Sequence, residues 1–275
     1  MHCAMNGNSV KLWKSEVIEG LELKRAELKN FTFSRHMDDR YVVCLVERGV
    51  ELFGCNGIRY AATVGDIVLY HPEDVHDGGS IDQRPWEYRC FYVSEPLVRI
   101  ISAGDTDNGH LPLFPVKVVR DPELAGRFSA FHRQMETHEE ALSDQTIFWE
   151  LFTRLVERHS RREGKGEESH RFHDQRAIFR SRDFLEVHFD ECITLEQLAT
   201  LAELSPFHFL REFKRLFGMP PHEYQKQLRV RRAKELLAKG VPIAVVAADT
   251  GFSDQSHLNR VFKSFTGITP GQFQS

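Results

Sequence analysis

Short apolar runs fill the first third of this chain, and helical spacing of apolar residues follows. The runs are rich in β-branched and aromatic residues and lie at 41–46, 50–53, 58–60, 67–70 and 86–93. Asn56-Gly57 is a two-residue hairpin signal between the second and third runs. The segment Pro72–Gly79 is rich in turn-forming residues and predicts a loop. Many short strands separated by turns predict an antiparallel sandwich or small barrel from about Leu12 to Val93.

Two amphipathic helices are predicted after this β-rich part. One apolar stripe runs from Leu124 to Met135 at intervals of three and four residues. A second stripe runs from Ile147 to Val156, after the helix-start signal Ser143-Asp144. The stripes either pack against the β-sheet domain or form a dimer interface, and the two roles are compatible.

A polar segment separates these helices from a wholly helical C-terminal part. Residues 160–169 contain two glycines and no apolar residue, which predicts a flexible linker. We therefore expect a first domain at 1–159, a linker at 160–174 and a second domain at 175–275. Thr194 with Gln197 forms a capping-box pattern. The predicted helices of the second domain span 175–189, 194–202, 206–217, 221–239, 243–249 and 255–265.

One sequence pattern occurs twice in the second domain. The first copy runs from Ser205 to Gly218 and the second from Ser253 to Gly267, with Phe-Lys pairs and terminal glycines 49 residues apart. Each copy follows a shorter helix that contains a small residue. A short helix, a tight turn and a second helix with exposed polar positions are typical of a helix-turn-helix. Two such units in tandem predict a protein that contacts DNA at two places.

The distribution of charge supports this interpretation, although the net charge of −4 does not. Residues 205–275 contain eleven Lys and Arg against five Asp and Glu. The first 170 residues contain 21 basic and 28 acidic side chains. This asymmetry is expected when only the second domain approaches phosphates.

Composition narrows the class of protein and its location. With 275 residues and 41% hydrophobic residues, the chain is long enough for two globular domains. It has no run of eighteen apolar residues and no signal-peptide profile at its N-terminus. Its five cysteines are scattered without a CxxC pair, so neither a zinc ribbon nor a disulfide framework is expected. A cytoplasmic location fits these features best.

The start of the second helix in each copy offers groups that recognise DNA. Arg pairs with guanine in the major groove, and Asn and Gln pair with adenine, while an aromatic ring can contact a thymine methyl. Lysines later in each helix are better placed for phosphates. The candidate DNA-binding residues are Phe207, Leu210, Arg211 and Lys214 in the first copy, and Gln255, Ser256, His257, Asn259, Arg260 and Lys263 in the second.

The C-terminal hundred residues resemble the DNA-binding domain of the AraC/XylS family of bacterial transcription regulators. The matching residues are Leu195, Leu198-Ala199, Phe213-Lys214, Gly218, Arg231-Arg232-Ala233, Leu236-Leu237, Ile243, Val246-Ala247, Gly251-Phe252, Phe262-Lys263, Gly267 and Pro270. The resemblance implies that the second helix of each copy enters a major-groove segment on one DNA face. Leu210 stands where a polar side chain is common in the family, which favours an apolar contact there.

The long helix predicted between the two copies suits the geometry of DNA. At about 1.5 Å of rise per residue, its 19 residues measure nearly 30 Å, close to the ~34 Å of one turn of B-DNA. Arg229, Arg231 and Arg232 lie on it. Some of these arginines are expected to contact phosphate and others to pair with neighbouring acids.

The segment from His36 to His76 resembles, more weakly, the cupin-like ligand-binding domain common in that family. His36, Glu47 and His76 lie at motif positions and would form a 2-His-1-carboxylate metal set. The alternatives are structural histidines, or polar groups that orient an organic ligand at the mouth of the barrel. We assign no metal and no cofactor. The candidate ligand-binding residues are His36, Arg40, Tyr41, Glu47, His76, Trp86 and Tyr88.

These observations predict a multidomain protein. An N-terminal antiparallel β-barrel of cupin-like type with a helical dimerisation segment precedes a C-terminal all-α domain with two helix-turn-helix motifs joined by a long helix. The expected function is that of a bacterial transcription regulator, not an enzyme, in which a small-molecule effector controls binding to double-stranded promoter DNA. The expected partners are a second copy of the chain and RNA polymerase. The alternative is a metal-dependent cupin enzyme with an appended helical domain.

Overall fold

The structure is a computed structural model that describes residues 3–5, 8–80, 84–103, 111–137, 141–161 and 172–274. The chain divides into two compact units. The first comprises residues 1–32, 37–74 and 78–165, and the second comprises residues 33–36, 75–77 and 166–275. Most of the predicted linker lies outside the described residues. None of the described helices is long and apolar enough to cross a membrane.

The N-terminal part is built from two antiparallel sheets, as predicted. The strands are β1 Cys3–Met5, β2 Asn8–Lys14, β3 Leu21–Leu28, β4 Thr32–His36, β5 Tyr41–Arg48, β6 Val50–Cys55, β7 Ile58–Thr63, β8 Ile67–Tyr70, β9 His76–Ser80, β10 Trp86–Val93 and β11 Val118–Val119. The seven-stranded sheet has the order β1-β2-β3-β10-β5-β8-β11, and the four-stranded sheet has the order β4-β9-β6-β7. Asn56 and Gly57 have φ values of 50° and 84° and join β6 to β7, which confirms the hairpin signal.

The expectation of a loop over the whole of Pro72–Gly79 is wrong at its C-terminal end, where strand β9 begins. The glycines of this strand allow it to approach its neighbours closely. A Cβ on Gly79 would lie 3.1 Å from the Phe31 carbonyl oxygen, and one on Gly78 would lie 2.9 Å from Glu51 Oε1. The glycines that suggested a turn therefore serve close packing within the sheet.

Three helices cover one face of the seven-stranded sheet, namely α1 Glu95–Ala103, α2 Pro122–Thr137 and α3 Ala141–His159. Alternate residues of β5 and β10, such as Val43 and Phe91, join the apolar side of α2 and α3 in one core. Phe91 packs against Phe128 and Phe152 with ring centroids 5.5 and 5.8 Å apart. The packing role predicted for both apolar stripes is confirmed, and helix α1 is an addition to the predicted elements.

The structure corrects the expectation that the cysteines form no disulfide. Cys44 on β5 and Cys90 on β10 are directly opposite each other in the antiparallel ladder and are bonded. Their separation of 46 residues gives no local spacing signal, because strand pairing alone brings them together. Cys55 is free and buried, and Cys192 is free and exposed.

The second unit contains seven helices among its described residues. They are α4 Phe172–Val187, α5 Leu195–Leu201, α6 Pro206–Phe217, α7 Pro221–Ala238, α8 Ile243–Asp249, α9 Gln255–Thr266 and α10 Pro270–Gln274. The capping box predicted from Thr194 and Gln197 is confirmed by both of its hydrogen bonds. Helices α6 and α9 both end at a left-handed glycine, Gly218 and Gly267, with φ values of 69° and 86°.

Candidate DNA interface and ligand site

Helices α6 and α9 begin in the same way. The Ser205 hydroxyl accepts a hydrogen bond from the backbone N–H of His208 at 3.3 Å, and the Asp254 carboxylate accepts one from the N–H of His257 at 2.7 Å. Such side-chain caps satisfy backbone donors that have no partner within the helix. The cap fixes the direction in which each helix starts, and therefore the side chains that its first turns present.

The buried and exposed sides of these helices separate as the sequence predicts. Phe209 and Phe213 of α6 and Leu258 and Phe262 of α9 are fully buried. The candidate DNA-binding residues lie on the other sides. Phe207, Arg211, Lys214, Gln255, Ser256, Arg260 and Lys263 are exposed, and Leu210, His257 and Asn259 are partly buried.

Two of the candidates already have partners on their own helix or cap. His257 Nδ1 lies 3.1 Å from the Ser253 hydroxyl, and its ring meets the Phe252 ring at a centroid distance of 5.3 Å. Arg211 Nε lies 3.5 Å from a Glu212 carboxylate oxygen, but the Arg211 side chain is 63% exposed. A hydrogen bond from Arg215 holds the pKa of Glu212 below its ordinary value. The Arg211 guanidinium therefore remains accessible, since Arg215 also neutralises that carboxylate.

Helix α7 lies between the two helix pairs, and its 18 residues measure about 27 Å. Of its three arginines, Arg231 is exposed and Arg232 pairs with Glu235 at 2.6 Å. Arg229 instead donates hydrogen bonds to three backbone carbonyls, those of Phe189 at 2.7 Å, Gly251 at 2.5 Å and Glu191 at 2.9 Å. Arg229 thus ties α7 to the segment between α4 and α5 and to the end of α8.

The candidate ligand-binding residues on β5 and β10 lie on opposite faces of the seven-stranded sheet. Trp86 and Tyr88 are buried and stack at a centroid distance of 4.8 Å. Along β10, Trp86 and Tyr88 lie on one face of the strand and Phe91 on the other, which faces the helices. Tyr41 belongs to the helix-facing core, where its hydroxyl donates to the Pro112 carbonyl at 3.3 Å. The structure therefore does not bring Tyr41 together with Trp86 and Tyr88.

Glu47 also lies on the helix-facing side. Its carboxylate accepts a hydrogen bond from the Ser129 hydroxyl at 2.6 Å and is paired with Arg89 and Arg133. Burial acts to raise the pKa of Glu47, but the bonds from Ser129 and Arg133 hold it below its ordinary value. Through these partners, Glu47 links the seven-stranded sheet to α2. It is therefore not a partner of the two candidate histidines.

Strands β4 and β9 bring the two candidate histidines together, with His36 and His76 ring centroids 4.2 Å apart. His36 Nδ1 lies 2.7 Å from the Ser34 carbonyl oxygen, which favours a tautomer with Nε2 as the acceptor. Two neighbouring histidines can contribute ligands to a divalent transition metal. The structure therefore brings the two histidines of the predicted set together, and Glu47 is occupied by other partners.

The last predicted ligand residue, Arg40, lies at the edge of the inner face of the seven-stranded sheet. Its guanidinium lies 4.7 Å from the centre of the Tyr92 ring and pairs with Glu22 at 3.0 Å. Burial opposes charge on Arg40, but Glu22 and Asp38 outweigh it and raise its pKa further above the ordinary value.

The inner faces of the two sheets carry buried polar residues that the sequence did not single out. Lys24 of β3 and Glu51 of β6 are 7% and 8% exposed. Burial raises the pKa of Glu51 to about 7, although the Lys24 ammonium opposes the shift. Burial also raises the pKa of the Tyr70 and Tyr88 hydroxyls well above the ordinary value. The sequence signal that could have identified Lys24 and Glu51 is a charged residue on the buried side of a strand whose residues alternate between buried and exposed.

Comparison with known proteins gives matches in both halves of the chain. The AraC-like ligand binding domain matches residues 20–152, and a helix-turn-helix domain matches residues 198–275. The uncharacterized HTH-type transcriptional regulator YbfI of Bacillus subtilis is 32% identical over 82% of this chain and 81% of its own length. The arabinose operon regulatory protein of Salmonella typhimurium is 25% identical over 86% of this chain and 83% of its own length.

Solved structures of ToxT from Vibrio cholerae share the fold. One has a TM-score of 0.56 at 12% identity and covers 94% of this chain and 98% of its own. Another, with a bound unsaturated fatty acid, has a TM-score of 0.54 at 15% identity and covers 94% of this chain and 96% of its own.

Proposed function

Since the chain belongs to the AraC family of HTH-type transcriptional regulators, with an AraC-like ligand binding domain and a helix-turn-helix domain, we propose that it recognises specific promoter DNA under the control of a small molecule. The observation that carries the DNA-binding part is the pair of capped helices α6 and α9. Each buries its aromatic and aliphatic side and exposes polar and basic groups in its first turns.

The proposed reader consists of two helix-turn-helix motifs, α5–α6 and α8–α9, joined by α7. Arg211 and Arg260 would contact guanines, and Gln255 and Asn259 adenines, because these side chains match the base edges in the major groove. Phe207, which is 76% exposed, would press on a thymine methyl together with Leu210. Ser256 and His257 complete the second set of base contacts. Lys214 and Lys263, later in each helix, would contact phosphates.

The remaining parts have proposed roles in regulation. Residues 1–159 would form the ligand-binding and dimerisation domain, 160–174 the linker and 175–275 the DNA-binding domain. Helices α2 and α3 would also form the dimer interface, with Trp149 of α3, 36% exposed, as an apolar contact. The effector would act by favouring one of two arrangements of the dimer. RNA polymerase is the proposed downstream partner, and we propose no enzymatic activity.

A fluorescence anisotropy titration of the full chain tests this function, using a DNA site selected from a random pool. Arg260→Ala should weaken binding to that site by about 1–3 kcal/mol, or roughly 5- to 150-fold, while random DNA changes little. Lys263→Ala should weaken both about equally and reduce the salt slope by about 1. Arg99→Ala is the matched control, because Arg99 pairs with Glu95 on the surface of α1. An unchanged preference for the selected site in Arg260→Ala would remove this residue from the reader.

The neighbouring side chains of His36 and His76 favour a second candidate function, a metal-dependent cupin enzyme. Imidazole ligands suit iron or zinc. Elemental analysis of the purified chain should then show a stoichiometric metal that is lost in His76→Ala. Purified protein with less than about a tenth of an equivalent of metal after dialysis against these ions would reject this candidate.

A further inference from the structure

Three polar side chains at the start of helix α9, those of Asp254, Ser253 and His257, form a hydrogen-bonded series that we call the α9 network. Asp254 caps the helix, where its Oδ1 accepts a hydrogen bond from the His257 backbone N–H at 2.7 Å. Its other oxygen, Oδ2, accepts a hydrogen bond from the Ser253 hydroxyl at 3.1 Å. Ser253 Oγ in turn lies 3.1 Å from His257 Nδ1. One hydroxyl group therefore joins the helix cap to the histidine ring.

The chemistry of these groups fixes the direction of the hydrogen bonds. Bonds from the His257 backbone N–H and from Ser253 hold the pKa of Asp254 below its ordinary value, so this carboxyl group is ionised at neutral pH. An ionised carboxylate accepts hydrogen bonds and cannot donate them. The single Ser253 hydroxyl hydrogen therefore points to Asp254, and the Ser253 oxygen accepts from the ring. His257 then carries its proton on Nδ1, because the hydrogen bond at one ring nitrogen sets the tautomer.

This tautomer leaves the other ring nitrogen, Nε2, as an acceptor. In the part of the chain that the structure describes, His257 Nε2 has no hydrogen-bond partner. The ring is nearly perpendicular to that of Phe252, at an angle of 87° and a centroid distance of 5.3 Å. Phe252 is buried and is therefore a fixed neighbour. The histidine ring is thus held in orientation and in tautomer, with a lone pair available on Nε2.

The first copy of the motif has a histidine at the same place but not the network. Its cap is Ser205 and its histidine is His208, each 49 residues before its counterpart in α9. Leu204 stands at the position equivalent to Ser253 and has no hydroxyl group. No such serine sets the tautomer of His208. Of the two copies, the second therefore has a histidine with a defined hydrogen-bonding direction.

A fixed acceptor distinguishes bases in the major groove. Adenine and cytosine present an amino donor where guanine and thymine present a carbonyl oxygen. A lone pair on Nε2 matches the amino group, whereas at the carbonyl oxygen two acceptors would face each other. We propose that Ser253 and Asp254 are positioning residues that make His257 a hydrogen-bond acceptor, so that it selects adenine over guanine, or cytosine over thymine, at one position of the DNA site. The inference rests on the proposed function, in which His257 faces the bases.

Nitrogen NMR of isotope-labelled histidine rings tests the tautomer in the full chain without DNA. At about pH 8 imidazole is neutral, and the shifts of its two nitrogens show which one carries the proton. The His257 signals are assigned by their absence from His257→Gln. We expect the proton on Nδ1 in the unmodified protein. Ser253→Ala removes the hydroxyl group and should lose this preference, whereas Ser253→Thr should keep it.

The variant Asp254→Asn reverses the direction of the network and keeps the helix cap, because Asn caps helices as well as Asp does. Its amide oxygen can accept from the His257 backbone N–H, and its NH₂ group then donates to Ser253 Oγ. The Ser253 hydroxyl is left to donate to His257 Nδ1, and the ring proton moves to Nε2. This variant should therefore turn the acceptor that faces DNA into a donor.

Fluorescence anisotropy with the selected DNA site measures the base preference, with A·T and G·C pairs exchanged at each position in turn. The position that loses its preference in His257→Ala is the one that His257 contacts. There the unmodified chain should prefer adenine over guanine, or cytosine over thymine, by about fivefold or more. Asp254→Asn should reverse this preference, and Ser253→Ala should largely abolish it. The matched control is Asp249→Asn, which removes the same charge from an exposed position on α8 and should leave the preference unchanged.

The possible results separate this inference from the proposed function. A proton on Nε2 in the unmodified chain would overturn the inference, as would a preference for guanine or thymine at the position that His257 contacts. So would a preference that Asp254→Asn leaves unchanged, or a His257→Ala variant that keeps every base preference. Specific DNA binding would survive each of these results. The absence of specific binding to any site would contradict the proposed function and the base contact with it, whereas NMR would still decide the tautomer.

Discussion

Replacement of Arg229 by Ala should destabilise the helical unit more than any other change of a surface-accessible arginine in it. The guanidinium donates to three backbone carbonyls, at 2.5–2.9 Å, that belong to two segments far apart in sequence. It also lies 6.0 Å from the centre of the Phe252 ring. The side chain is half-buried, so water can replace only part of these bonds.

The magnitude follows from the hydrogen bonds. A bond to a charged donor contributes about 1.5–3 kcal/mol, and three bonds from one group are not additive. Because water reaches part of the site, we expect a loss of about 3 kcal/mol for Arg229→Ala. For a unit of about 100 residues this corresponds to a fall of roughly 10–20 °C in its melting temperature. Arg229→Lys keeps one donor group, so its melting temperature should lie between those of the unmodified protein and Arg229→Ala.

The assay is thermal unfolding of the full chain followed by circular dichroism, with hydrogen exchange to assign the transition to the helical unit. Arg231→Ala is the matched control, because Arg231 is exposed on the same helix. Its effect should stay within about 0.5 kcal/mol. Equal melting temperatures for the two Ala variants would refute the assigned role. Faster exchange in α8 and in the segment before α5, confined to Arg229→Ala, would support it.

Three further results are expected. Gly251→Ala should destabilise the helical unit by more than about 2 kcal/mol in denaturant unfolding, because φ is +71° and the new Cβ would lie 2.2 Å from the Asp190 carbonyl oxygen. The control is Gly240→Ala, where φ is +77° but the space is open, and its loss of unfolding free energy should be less than half as large. Burial raises the pKa of Glu51 from 4.5 to about 7, so its neutral form stabilises the fold at low pH. This contribution, up to about 3 kcal/mol, is fully present below about pH 4.5 and is lost as pH rises to 7. Glu51→Gln should therefore flatten the fall in melting temperature between about pH 4.5 and 7. Thiol titration of unreduced, unfolded protein should find three thiols per chain, and five after reduction, because one disulfide is present.

The helical half of the molecule was largely predictable because its signals are local. The capping box at Thr194, the glycines that end α6 and α9, and the spacing of buried aromatic residues all act within a few residues of one another. The structure moves most helix ends by only a few residues. The exposed sets on α6 and α9 follow from helical periodicity alone.

The sheet-rich half was predictable in type but not in its interior. In Val50–Cys55 the buried positions are Glu51, Phe53 and Cys55, whereas the apolar neighbours Val50 and Leu52 are less buried. A charge on the buried side of a strand is easily taken for a solvent-facing residue, so composition alone does not show which side of this strand is buried. The disulfide, the proximity of His36 to His76 and the burial of Glu51 depend on strand pairing over long separations. No short window of sequence contains that information.

The matching caps of α6 and α9 have a consequence for the origin of the helical unit. Three pairs of equivalent positions, 49 residues apart, have the same burial: Phe213 and Phe262 are buried, Arg211 and Arg260 are exposed, and Leu210 and Asn259 are intermediate. This agreement is what a tandem duplication of one ancestral motif would leave. The copies differ in chemistry at Leu210 and Asn259, where burial is incomplete, and agree at Phe213 and Phe262, which fill the interior. The older motif would then have acquired two recognition sequences while keeping one way of packing.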